Sequence, residues 1–141
     1  MKKCLFTMAL VALLPVAMVS TLSEAIPAKA AITHTTPVKM RGTWYGYSRD
    51  YKFWEKIHLT KYTFTYQSGN DKVTLHHIDN VHGKTEGKYT YTFQQHKHIA
   101  ATDFYAWGKA KVKGKYKKCL VQDGTTAMFR TKIKHYSSVK Y

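Results

Sequence analysis

Two hydrophobic patterns divide the chain. Residues 4–19 form an almost unbroken apolar run behind Lys2 and Lys3, whereas from residue 40 onward apolar and polar side chains alternate with a period near two. Alternation sends successive side chains to opposite faces of an extended chain, so it predicts half-buried β-strands. The predicted strands cover residues 40–47, 53–59, 62–67, 72–78, 88–93, 99–107, 111–121 with a bend, and 126–136. Turn residues separate them at 48–51, at Ser68-Gly69-Asn70-Asp71, at Asp79-Asn80, at 94–97 and at Gln122-Asp123-Gly124-Thr125. Residues 81–87 lack periodicity and read as a loop. Pro37 is the last proline, which suits a long run of hydrogen-bonded strands. None of these segments has the 3.6-residue period of an amphipathic helix.

Many short strands joined by tight turns predict an all-β domain. Local connections favour a single antiparallel up-and-down barrel of eight strands, because closure removes unprotected edges. A β-sandwich is the alternative. Within the first strand, Gly42 and Gly46 flank Trp44 on one face, leaving room for the indole, while Tyr45 and Tyr47 point the other way.

The N-terminal run changes the picture before the first strand. A basic start, about 16 apolar residues broken by Pro15, and small residues at Ala28-Lys29-Ala30 have the layout of a secretory signal peptide. A bilayer-spanning helix needs about 20 residues. Cleavage is expected before Ala31, with a second site before Ile26. The expected organisation is therefore a signal peptide at 1–30, a flexible leader at 31–39 and a barrel domain at 40–141, with no transmembrane segment after cleavage. The expected location is outside the cell or loosely on its wall.

Composition adds charge and removes disulfides. The chain has 23 Lys and Arg against 8 Asp and Glu, a formal net charge of +15. Only Lys2, Lys3, Lys29 and Glu24 fall within residues 1–30, so the excess belongs to the domain. Such a field attracts polyanions and weakens in salt. In the expected compartment these are anionic wall polymers or lipid headgroups; no nucleic-acid motif accompanies the charge. Cys119 is the one cysteine beyond the apolar run and reads either as a reactive thiol among lysines or as a small buried hydrophobe. A monomer is expected.

With the strands placed, Gly42-Thr43-Trp44 resembles the Gly-x-Trp signature of the lipocalin-like, or calycin, superfamily, and Gly42-Thr43-Trp44-Tyr45 looks like the opening strand of its avidin branch. That resemblance implies an arginine from the last strand packed across the tryptophan, a role that falls to Arg130. It also implies, as the alternative function, a small apolar ligand inside the barrel. Pro37-Val38-Lys39-Met40-Arg41-Gly42-Thr43-Trp44-Tyr45 is similar to the start of the mature region in small secreted proteins of lactobacilli and other lactic acid bacteria.

Candidate chemistry is sparse. Lys109, Lys111, Lys113, Lys115 and Lys117 lie two apart and would share one side of a single extended strand, a basic stripe for polyanions. Asp103 sits among apolar residues and, with Tyr105, is the candidate for a polar spot in a pocket. Among the eight histidines, His96 and His98, joined by His82, are the set weighed for metal, but no metal site or cofactor is expected. The carboxylates fall mostly in predicted turns and no catalytic motif is present, so no enzyme activity is expected. The leading expectation is a secreted, noncatalytic basic protein held to anionic surfaces.

Overall fold

A computed structural model describes residues 30–85, 87–97 and 101–141, excluding the side chains of residues 85 and 101. The expected signal peptide, apart from Ala30, lies outside the described residues, as do His98 and the start of the strand expected from residue 99. The alternating segments form strands β2 (Gly42–Ser48), β3 (Phe53–Leu59), β4 (Thr63–Ser68) and β5 (Asp71–His76), an antiparallel four-stranded sheet in that order. Its register is tight, with Trp44 opposite Ile57 and Ile57 opposite Tyr66. The inward face therefore carries Trp44, Ile57, Leu59 and Phe64.

A second sheet holds β1 (Ala31–Thr33), β6 (Ile78–Thr85), β7 (Lys88–Gln95), β8 (Ala101–Val112), β9 (Lys115–Gln122) and β10 (Thr126–Met128). Its order is β1-β6-β7-β8-β9-β10, and β11 (Ser137–Lys140) pairs with β8 to make seven strands. Ile78, Phe93, Tyr105, Leu120 and Met128 face the first sheet and complete the core. Phe64 and Phe93 stack with centroids 5.4 Å apart, and Tyr105 packs against both.

The two sheets correct the expected barrel. No continuous ladder runs round the molecule: the sheets part between β5 and β6, where His77 adopts a left-handed φ of 51°. On the other side an isolated backbone pair, Tyr45 with Phe129, links them among the described residues. This is a two-layer all-β arrangement closer to the β-sandwich alternative, and the lipocalin-like resemblance does not extend to the fold. The local Gly-Thr-Trp pattern specified a strand with a buried indole, which a sandwich accommodates as well as a barrel does.

Three segments depart from the predicted strands. Residues 81–85, part of the segment read as a loop, belong to β6; Asp79 and Asn80, read as a turn, are buried within that strand. Polar residues are tolerated there because the ladder satisfies the backbone and neighbouring side chains satisfy the carboxylate. Residues 31–39, read as a leader, contain β1, which pairs with β6, and a 3-10 turn at Val38–Met40 that buries Met40. The last predicted strand stops at Met128. Tyr136 folds back so that the Ala127 N–H donates to its hydroxyl at 3.1 Å, and residues 129–139 cover a second core of Ala110, Val112, Cys119, Val121 and Ala127. Among the described residues no helix is long and apolar enough to cross a membrane.

Candidate functional sites

Strand lengths create the first site. β7 pairs with β8 only as far as Ala106, so the rest of β8 runs on and is flanked by β11 on one side and β9 on the other. In that extension Lys109 stands opposite Lys140 of β11 and Lys118 of β9. Three lysines therefore lie abreast across three strands. Like charges directly opposite one another destabilise a sheet. Among the described residues the ion pairs involve only His34, His96 and Asp79, so no carboxylate offsets the row.

These lysines, with Lys39, Trp107, Gly108 and Tyr141, line an open cleft of about 570 Å³. Trp107 is 38% exposed on its wall. Its indole meets Trp44 edge to face at 5.8 Å, and Trp44 in turn carries the Arg130 guanidinium 3.7 Å from its ring centroid. The Trp44 indole N–H donates to the Met40 carbonyl at 2.8 Å, and Arg130 donates to the Lys39 carbonyl at 3.0 Å. Lys39 is thus carried on backbone braced by the Trp44–Arg130 pair. Gly108 admits the end of β11: a Cβ there would lie 2.5 Å from the Lys140 carbonyl oxygen.

The five lysines of the expected stripe are split. The chain turns at Lys113, whose φ is 47°, so Lys109 and Lys111 face one way with Tyr116 and Lys118. Lys115 and Lys117 stand opposite Val112 and Ala110, on the other face. Lys118, Lys140 and Lys39 complete the cleft instead, and no spacing along the sequence joins them. The sequence signal missed was Lys113-Gly114, a pair suited to a tight hairpin turn inside the basic run.

Asp103 and Tyr105 sit in different surroundings. Asp103 is exposed and accepts a 2.6 Å hydrogen bond from the Gln122 amide. Tyr105 is fully buried in the core, and its hydroxyl has no hydrogen-bond partner. Burial, reinforced by the charge of Asp103 and by nearby Tyr66, Asp123 and Glu55, pushes the Tyr105 phenol well above its ordinary value.

The second site is built by strand order. Antiparallel β1 and β7 flank β6, so the C-terminal ends of both lie beside the start of β6. His34 follows β1, His96 follows β7, and Asp79 is the second residue of β6. His34 Nδ1 lies 2.7 Å from Asp79 Oδ1, and His96 Nδ1 lies 3.0 Å from each carboxylate oxygen. The imidazoles meet edge to face with centroids 5.4 Å apart. They screen Asp79, whose side chain is 9% exposed, while their own are 71% and 46% exposed. Burial alone would raise the Asp79 carboxyl, but hydrogen bonds and charge from the two histidines outweigh it and hold the pKa below the ordinary carboxylate value.

No protein family, curated protein or solved structure matches the chain.

The His34–Asp79–His96 cluster overturns the expectation of a chain without a catalytic or metal-ligating constellation. His96 does take part, but with His34 and Asp79. His82 lies elsewhere on β6, stacked on Tyr91 at 6.0 Å, and His98 is outside the described residues. Sequence reasoning missed the set because its members are 45 and 17 residues apart and two of them fell in a supposed leader and a supposed turn.

Proposed function

We propose that this is an exported basic protein that associates with anionic wall polymers or lipid headgroups through the cleft at Trp107. The observation that carries the reading is the in-register row Lys140, Lys109 and Lys118 beside a partly exposed tryptophan, with no ion pair to the row among the described residues. An arrangement that costs the free protein repulsion is relieved when a polyanion supplies the missing charge. Trp107 and Tyr141 add faces against which sugar rings or acyl-chain carbons pack. Each lysine near an anionic surface contributes about 1 kcal/mol. Lys109→Ala/Lys118→Ala should then weaken retention on immobilised teichoic acid, or on vesicles of anionic lipid, by roughly tenfold or more. Retention should also fall steeply as salt rises. Retention that is insensitive to both the double substitution and salt would sink the reading.

A second reading, a small apolar ligand, has the cleft's own shape in its favour. Its volume is in the range of small-molecule sites, and the Trp107 and Tyr141 rings give it apolar walls. The interior between the sheets is instead occupied by Phe64, Phe93 and Tyr105. An apolar probe such as a fatty alcohol should quench Trp107 emission in a salt-independent way if this reading holds, whereas the polyanion reading expects salt to abolish the response to polymer.

A further inference from the structure

The His34–Asp79–His96 cluster has the donor set and spacing of a metal site, independently of the lysine cleft. We propose that these three residues bind one divalent transition-metal ion of the Zn²⁺ class, through the two imidazoles and the Asp79 carboxylate. Imidazole nitrogen together with carboxylate oxygen suits Zn²⁺, Co²⁺ or Cu²⁺.

The geometry requires little rearrangement. Donors bound at about 2.0–2.2 Å lie about 2.8–3.1 Å apart around an octahedral ion and about 3.3–3.6 Å apart around a tetrahedral one. The His–Asp separations are 2.7 and 3.0 Å, and all the ligand atoms fall within 4.8 Å of one another. Small rotations of the two exposed imidazoles would admit the ion between the donors. The anchoring is also right for ligands: each residue sits at the end of a paired strand, so β1, β6 and β7 fix three attachment points without a long loop. His96 is held further because its backbone N–H donates to the His77 carbonyl at 3.0 Å.

Three protein ligands leave a coordination position for water or an external donor, the pattern of zinc sites that are not purely structural. Here that position opens into a surface pocket of about 320 Å³, also lined by Tyr62, His77 and Ile78. In the absence of metal the same contacts act as hydrogen bonds from imidazole N–H groups to the carboxylate. Metal at Nδ1 replaces these hydrogen bonds, the imidazole proton moving to Nε2.

The test is calorimetric titration of the purified protein with Zn²⁺, together with His34→Ala, Asp79→Asn and, as a control at a distant histidine, His82→Ala. Tight binding of one ion per chain is expected, weakened at least tenfold by His34→Ala and by Asp79→Asn and unchanged by His82→Ala. Failure to bind, or affinity equal in all four proteins, overturns the site. Should a variant fail to fold, Cu²⁺ bound to the unaltered protein decides by electron paramagnetic resonance. Coupling to two imidazole nitrogens at one equivalent supports the site, and any other nitrogen number refutes it. Because retention on polyanions is read separately, metal binding can fail while the lysine cleft stands, and the reverse.

Discussion

Gly42 combines a φ of 103° with a space that Arg130 occupies: a Cβ there would lie 2.6 Å from the guanidinium nitrogen. Two separate penalties thus attend any side chain at this position, backbone strain and displacement of the cation from Trp44. Gly42→Ala should lower the stability to urea unfolding by about 2 kcal/mol. Adding it to an Arg130→Ala background should cost less, because only the strain remains and the sites are coupled. Equal costs in the two backgrounds would show that Arg130 does not fill the space. The glycine of the opening strand and Arg130 therefore act on one ring, Trp44, which in turn meets Trp107 in the cleft wall.

At the scale of an element, β9 shows how a strand is shared between two environments. Its outer half carries Lys115, Lys117 and Lys118, and its inner half buries Cys119, Leu120 and Val121. That contrast resolves the two readings of Cys119. The thiol is fully buried, and burial pushes its pKa to about 11 although Lys117 and Lys118 precede it. At pH 8 about one thiol in a thousand is ionised, and that fraction lies beneath packed side chains. The native protein should therefore be inert to an aromatic disulfide reagent at pH 8 and react at a rate set by opening of the sheet, rising sharply in denaturant. Rapid stoichiometric labelling of the native protein would contradict this placement.

Across the whole molecule, positive charge dominates, yet Glu55, Asp103 and Asp123 are gathered near the end of the core marked by Tyr105. Burial raises the Glu55 pKa, the charges of Asp103 and Asp123 raise it further, and a hydrogen bond with Tyr66 offsets part of this. Burial and the charge of Asp103 also raise Asp123, although the Phe104 N–H donates to its carboxylate at 3.1 Å. A folded-state pKa above the unfolded value means that the native chain binds the proton more tightly. These groups therefore add stability at pH below the ordinary carboxyl value, and lose it as pH rises through their raised folded values. Glu55→Gln should raise Tm at pH 7 by roughly 4 °C, and the gain should fade towards pH 4.5, the ordinary value for this carboxyl. A lower Tm for the variant at pH 7 would mean that the ionised carboxylate is favourably paired.

Alternation along the chain by itself determined the all-β class, most strand positions, and the burial of Trp44, Ile57, Leu59 and Phe93, because side-chain direction in a strand follows from neighbouring residues alone. It also determined the excess of basic charge. Sheet closure was decided only by the tertiary structure: the break at His77 and the isolated Tyr45–Phe129 pair depend on how distant strands meet, so the same local pattern served a two-sheet packing. Asp79 and Asn80 carry turn-like chemistry, but pairing with Gln94 and Phe93 of β7 overrides it. Both sites belong to this second category. Lys109, Lys118 and Lys140 converge through the register of three strands, Lys39 joins them through the backbone that Arg130 holds, and His34, Asp79 and His96 meet through the order β1-β6-β7, relations between residues far apart in the chain that no local spacing encodes.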